Sequence, residues 1–335
     1  MDGGREWADN REWIKEVQRF KKVFSQRSSN TKHYYMAGNH DLGFGDGIKP
    51  SVVERFENEF GETSYELSLD SHSIVVVDSV SMSSTSAQIN HKSRDFVRQL
   101  RPSDKPRILF SHVPLYRQPS PISGTLTAPA AEDMCGPLRQ KSKQIRQGVG
   151  YQYQNLMTKE LTDIILTHAQ PDMIFSGDDH DYCEVFHAFE ARKIPEISVN
   201  TFSMAQGVKY PGVVLLNLYA GDVPKSESYT TKLCLLPDQI SIFIRYAILL
   251  GITLAGLLAN NILDLFGYSL LSTSSPIMPS TRQEADKADA REHRYLSQRR
   301  ILISRSLEAI KRTAKDIRQI ALPSLLFYLI CVLLL

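Results

Sequence analysis

The chain has few cysteines. Of 335 residues only Cys135, Cys183, Cys234 and Cys331 are cysteine, and none stands at zinc-type spacing from another. A cysteine-held structural zinc and a disulfide-dense scaffold are both excluded. Charge of one sign is also lacking: the net charge is +2. With no basic stripe interleaved with aromatics in the first two thirds, a nucleic-acid partner is not expected. There is no Asn-x-Ser/Thr sequon, and Met1-Asp2-Gly3-Gly4-Arg5 opens on charged residues, so no signal peptide is expected there. The two tryptophans, Trp7 and Trp13, read as packing residues.

What is present is ordinary globular composition, 42% hydrophobic and 23% charged, over a length that suits one large domain or two ordinary ones. The first ~240 residues alternate strand-like and helix-like stretches. Trp13, Val17, Phe20 and Phe24 recur at helical spacing within residues 5–27. His33 to Met36 reads as a short strand, and 51–60 as a helix capped by Ser51. Tyr65 to Leu69 and Ile74 to Asp78 read as a hairpin. Helices near 90–101 and 153–168 separate strands at 106–110 and 173–175, and further strands are expected at 184–189, 195–199 and 212–219. Residues 113–150 form a long irregular stretch, of a kind that is functional or solvated.

Three apolar strand-like runs each end in a polar set: Asn39-His40-Asp41, His112, and Asp178 with His180. In sheets with helical crossovers, sites form where strand C-termini meet the following loops. Gly38 permits a tight turn. Asn39 offers a neutral carbonyl oxygen to a metal. His40 can donate a proton or stabilise charge on a phosphate oxygen, and Asp41 can fix its tautomer. Alone, Gly38-Asn39-His40-Asp41 would also suit a loop with a capping Asn and a surface His. The company of His112 and the 177–180 set favours the metal site. His33, His72, His91, His168 and His187 show no partner pattern and read as structural or exposed.

Ile240 to Leu265 is a long apolar stretch interrupted chiefly by Arg245 and Asn260-Asn261, enough for a membrane span with Arg245 near one end. Ala321 to Leu335 is a second, shorter apolar stretch. Residues 270–318 carry eleven Lys/Arg against six Asp/Glu. The positive-inside rule places that segment in the cytosol and the N-terminal region on the lumenal side. In a lumenal setting Cys135 and Cys183 can pair; two free thiols are the alternative. The 281–318 segment suits an amphipathic helix on the membrane or an ordinary solvated one.

The order Gly38-Asn39-His40-Asp41, Ser111-His112, Gly177-Asp178-Asp179-His180 resembles the calcineurin-like metallophosphoesterase superfamily. The match is closer to its branch of GPI-anchor remodelling phosphoesterases, through Ser111-His112-Val113-Pro114-Leu115-Tyr116-Arg117, Cys135-Gly136-Pro137-Leu138 and Phe202-Ser203-Met204-Ala205. The resemblance covers roughly residues 1–220. It implies an α/β fold, the four-layer α-β-β-α metallophosphoesterase sandwich with its first strands missing, followed by C-terminal transmembrane helices. The expected division is 1–238 phosphoesterase domain, 239–265 transmembrane helix, 266–318 basic cytosolic loop and 319–335 second transmembrane helix. Asn39, His112 and Asp178 would bind one metal and His180 the other, while His40 and Asp41 serve the leaving oxygen. The implied cofactor is two divalent metal ions, manganese by family habit. In such sites two ions about 3.5–4 Å apart share a water and clamp the phosphoryl oxygens for in-line attack.

The sequence departs from the pattern in two places. The superfamily places D-x-H and G-D-x-x-D upstream of G-N-H-D, and Asp2-Gly3-Gly4-Arg5 resembles the tail of the second motif. The chain is therefore expected to begin inside that motif and to leave His180 nearly alone at its metal. A start placed within a longer coding sequence, a shortened inactive form and a site completed by a partner chain are the open accounts. Asp178 stands where His is usual; Asp179 or Asp181 is an alternative ligand.

The implied function is removal of ethanolamine phosphate from a mannose of the GPI-anchor glycan, in the endoplasmic reticulum or Golgi membrane. The substrate would be a GPI-anchor glycolipid or a GPI-anchored protein. Tyr116, Arg117, Arg139, Tyr151 and Tyr153 would offer cations and aromatics from a lid. A catalytically inactive membrane protein acting as a trafficking or docking module is the alternative. A generic phosphoprotein phosphatase fits poorly with a lumenal domain.

Overall fold

A computed structural model describes residues 10–25, 28–69, 71–117, 135–141, 145, 147–150, 153–265 and 290–334, the last stretch with side chains over 303–326. The chain divides into two compact units, Met1–Gln239 and Ile240–Leu335.

The helices of the first unit are α1 (Asn10–Val23), α2 (Asn39–Leu42), α3 (Pro50–Phe60), α4 (Ser79–Met82), α5 (Ala87–Gln99) and α6 (Lys159–Ala169). Its strands are β1 (Tyr65–Ser68), β2 (Ser73–Val77), β3 (Arg107–Ser111), β4 (Val149–Gly150), β5 (Tyr153–Gln154), β6 (Met173–Ser176), β7 (Cys183–Phe189), β8 (Arg192–Ser198), β9 (Gly212–Leu218) and β10 (Tyr229–Leu235). Six strands form one sheet in the order β1-β2-β3-β6-β8-β7. The four central strands are parallel and the two edges antiparallel. Parallel strands are covered on both faces, which is why Ser73-Ile74-Val75-Val76-Val77 and Met173-Ile174-Phe175 are near-continuous apolar runs.

Side-chain alternation along these strands splits the core. Val75, Val77, Leu109 and Ile174 face a helical layer contributed by Trp13 and Val17 of α1, Val52 and Phe56 of α3, Val97 of α5 and Ile165 of α6. Ile108, Met173, Phe175 and Ile197 face the other way, against Val214, Leu216, Tyr229 and Leu233 of the antiparallel β9–β10 hairpin. The layers among the described residues of this unit are thus helix, sheet and hairpin. The outer helical layer of the expected four-layer sandwich is not among them.

Local chemistry sets the element ends. In α1, Trp13 and Val17 lie one turn apart on the buried face, while Glu12–Lys15 and Glu16–Arg19 pair on the exposed one. Helix α3 starts at Pro50, with Lys49 and not Ser51 at the N-cap, because proline at the first helical position forfeits no hydrogen bond. Helix α6 starts later than periodicity suggests. Tyr153–Gln154 pairs with Val149–Gly150, and Thr158 Oγ1 caps the helix through Leu161 N–H at 3.3 Å. Residues 33–36 are not a strand, since no neighbour pairs with them among the described residues. Tyr35 instead packs its ring on Phe20 and Phe60 and accepts the Tyr65 hydroxyl proton at its carbonyl.

The second unit contains α7 (Gln239–Leu265) and α8 (Ala290–Leu334). Among the described residues α7 is the one helix long and apolar enough to cross a membrane, with a mean hydropathy of 2.1. Helix α8 begins within the 266–318 segment and runs through Pro323, so 290–318 is helical and continuous with the apolar 321–334 stretch. Asn261 Nδ2 donates to Asp316 Oδ2 at 2.8 Å, and Arg312 pairs with Asp264 at 3.0 Å, joining α7 to α8 through polar groups.

Ile174→Ala, at a fully buried position in a central parallel strand, is expected to lower the unfolding free energy by about 2–5 kcal/mol. Ile14→Ala, on the exposed side of α1, is expected to change it by less than about 0.5 kcal/mol. Denaturant unfolding of the full chain in detergent checks both.

Candidate metal centre

The parallel ladder brings the strand ends level. Val77 pairs with Ser111, Ser111 with Ser176, and Ser176 with Ser198. His112 follows β3 directly, and Gly177-Asp178 follows β6, so the two exits lie side by side. Gly177 N–H donates to the His112 carbonyl at 3.0 Å. The His112 imidazole Nε2 lies 3.1 Å from Asn39 Oδ1 and 3.4 Å from Asp178 Oδ1.

Asn39 reaches that point from the start of α2. Gly38 N–H donates to Asp41 Oδ2 at 2.9 Å, and this bond holds the first turn of the short helix. Gly38 has a steric task as well: a Cβ there would lie 2.8 Å from His112 Cε1. Asn39 is buried, His40 is exposed and Asp41 lies between. The turn after β6 is left-handed at two non-glycine residues, Asp178 (φ 63°) and His180 (φ 68°). Burial pushes the His180 imidazole below its ordinary pKa, against Asp178 and Asp179, which raise it; Lys141 and His112 push the same way as burial. A neutral imidazole keeps a lone pair for a metal.

Among the three aspartates left open by the sequence, Asp178 is the one whose oxygen meets His112. Asp179 Oδ2 pairs with Arg139 Nη1 at 2.7 Å. Asp181 is fully buried, and its oxygens accept the backbone N–H groups of Gln140, Lys141 and Tyr182. Asn39, His112 and Asp178 thus converge as an amide oxygen, an imidazole nitrogen and a carboxylate oxygen. That donor set fits one divalent ion of the hard or borderline type. Among the described residues no group of three or more His, Cys, Asp or Glu side chains could hold a metal.

No family model and no solved structure matches the chain. Its similarity to curated proteins is direct. It is 35% identical over 254 residues to Cell division control protein 1 of Saccharomyces cerevisiae, covering 71% of this chain and 49% of that one. It is 29% identical over 289 residues to Metallophosphoesterase 1 of Pongo abelii, covering 78% and 66%. With the homolog of Caenorhabditis elegans the identity is 26% over 246 residues, covering 72% and 61%. The chain is similar to the calcineurin-like metallophosphoesterases of the branch of Cell division control protein 1 and Metallophosphoesterase 1. It spans about half the length of the first relative and about two thirds of the animal ones.

The first unit also holds a buried polar group that sequence reasoning missed. Cys135 and Cys183 form a disulfide. Arg117 Nη1 donates to Cys183 Sγ at 2.8 Å, and its Nη2 donates to Ser198 Oγ at 2.8 Å and to Glu196 Oε1 at 3.5 Å. Glu196 also bonds Ser176 Oγ and His187 Nε2. Arg117 is therefore turned inward and does not serve a lid; Tyr151 of the expected lid lies outside the described residues, and Tyr153 is exposed in β5. Glu196 gave no motif signal: it sits among apolar positions of β8, and its partners come from three other chain segments.

Burial alone would raise the Glu196 carboxyl, but Arg117 beside it and the His187 bond hold its pKa down at about 2. Its ionised form therefore stabilises the fold above the ordinary 4.5, and that contribution is lost as pH falls toward about 2. Glu196→Gln leaves Arg117 buried without its anion, so a loss of about 3–5 kcal/mol is expected at neutral pH. The gap to wild type should close as pH falls through that window, which unfolding at stepped pH would read. Gly38→Ala should displace the His112 ring and lower stability by about 1–3 kcal/mol. The His112 imidazole NMR shift and the unfolding midpoint check it.

Proposed function

We propose that this protein is a metal-dependent phosphodiesterase whose metal ligands are Asn39, His112 and Asp178, with His180 serving the second ion. The observation that carries the reading is the meeting of Asn39 Oδ1, His112 Nε2 and Asp178 Oδ1 at the ends of parallel strands. A divalent ion bound there, manganese by family habit, supplies Lewis-acid polarisation of a phosphoryl oxygen and a nucleophilic water at neutral pH. The chain's own residues do the rest. His40, exposed beside Asn39, gives a proton to the departing alkoxide oxygen. Asp41, held by Gly38 N–H, supports the turn that presents His40.

The substrate class we propose is ethanolamine phosphate on a mannose of a GPI-anchor glycolipid or GPI-anchored protein. An enzyme tethered by α7 would work at the surface where such a lipid lies. The basic 270–318 segment supports a cytosolic face for that stretch and a lumenal face for the phosphoesterase unit, in the endoplasmic reticulum or Golgi membrane. The Cys135–Cys183 disulfide supports the same side, since the secretory lumen is oxidising. A second reading, a membrane docking module without catalysis, is favoured by the small number of metal-binding groups among the described residues.

Metal analysis and glycan mass spectrometry separate these readings. Full-length protein with manganese is expected to bind at least one ion and to remove ethanolamine phosphate from a GPI glycan. Asn39→Ala and His112→Ala are expected to weaken metal binding at least roughly 10–100-fold. Metal binding with an unchanged glycan would overturn the substrate; no metal at all would favour the docking module.

A further inference from the structure

The turn 177–183 carries two candidate ligands in a backbone conformation that side chains disfavour. Asp178 and His180 both have positive φ, 63° and 68°, within three residues. Asp179 N–H closes the turn on the Gly177 carbonyl at 2.7 Å, and two bonds restrain it from the sheet side: Gly177 N–H to the His112 carbonyl and Thr201 N–H to the His180 carbonyl, each at 3.0 Å. A third source of restraint is residues 135–141, far away in sequence.

That segment grips the turn at Asp179, Asp181 and Cys183. The Cys135–Cys183 disulfide fastens one end, and Glu184 N–H donates to the Cys135 carbonyl at 3.1 Å. Arg139, its side chain 2% exposed, pairs with Asp179 Oδ2 at 2.7 Å. Lys141 Nζ donates to the Asp179 carbonyl at 2.7 Å. Asp181 Oδ2 accepts from Gln140 N–H at 3.0 Å and from Lys141 N–H at 2.6 Å. Gln140 in turn exchanges two bonds with the backbone of Tyr210, on the loop that holds Thr201. His180 thus sits between two residues clamped from this side, and Asp178 between Asp179, which is so clamped, and Gly177, which the His112 carbonyl holds.

We propose that residues 135–141 are a brace for the metal centre, and that Arg139 and Asp181 are positioning residues which hold Asp178 and His180 in their left-handed geometry. This rests on the reading of those two residues as ligands. Asp181 is not itself a free ligand, since both its oxygens accept backbone N–H groups. Arg139 reaches the centre through Asp179.

The test uses the full chain in detergent with Arg139→Met, Arg139→Lys and Asp181→Asn. Metal-free hydrogen exchange reads the brace directly: Arg139→Met and Asp181→Asn are expected to speed exchange at Asp179 and Thr201. Unchanged exchange overturns the brace. Manganese affinity, by titration calorimetry, reads its consequence. A weakening of about 10–100-fold is expected in both variants, with Arg139→Lys recovering part of it. A wild type that binds manganese, with variants that bind it equally well, overturns the positioning role. If wild type binds none yet exchange still rises, the brace stands and the ligand reading fails. Should Asp181→Asn not fold, Arg139→Met and its lysine rescue decide alone.

Discussion

The pairing of Ser111 with Ser176 in the parallel ladder governs where chemistry can occur in this unit. Because β2, β3, β6 and β8 run the same way and end level, their exits form one rim. His112 and Asp178 stand on it as the first residue after β3 and the second after β6. A slip of one residue between β3 and β6 would send alternate side chains to the opposite face, pulling Leu109 and Ile174 from the helical core. The hydrophobic split between the helix side and the hairpin side therefore enforces the register, and the register enforces the site.

A second constraint works beneath the rim. Arg117, Glu196, His187, Ser176 and Ser198 are buried together and partner one another. They join the segment after β3 to β6, β7 and β8, and through Cys183 to the 135–141 segment. Buried charges persist when paired and hydrogen-bonded, and become expensive when one partner is lost. The network thus locks the strands whose ends build the rim.

The second unit obeys different rules. Helix α7 is apolar along most of its length, yet Asn261 and Asp264 near its end meet Asp316 and Arg312 of α8. A buried Asn beside a carboxylate is a directional contact, one that fixes which faces of the two helices meet. That is a task apolar side chains alone perform poorly.

Much of this protein was legible one residue at a time. Trp13 and Val17 at helical spacing, the apolar runs of β2, β3 and β6, the length of α7, and the polar sets at 39–41, 112 and 178–180 are all local signals. Spacing and hydrophobicity act over a few residues, so the sequence by itself determined them, along with the resemblance that the relatives bear out. Long-range matters needed the tertiary structure. Residues 33–36 look like a strand but pair with nothing described, because a ladder requires a neighbour. Cys135 and Cys183 were equally readable as thiols until folding brought them together. Asp178, Asp179 and Asp181 were interchangeable on paper; a left-handed turn aims the first at His112 and gives the others to Arg139 and to backbone N–H groups. Glu196 carried no signal and Arg117 read as part of a lid, since a buried charge is defined by partners from distant segments. Only the packed chain brings those partners within reach.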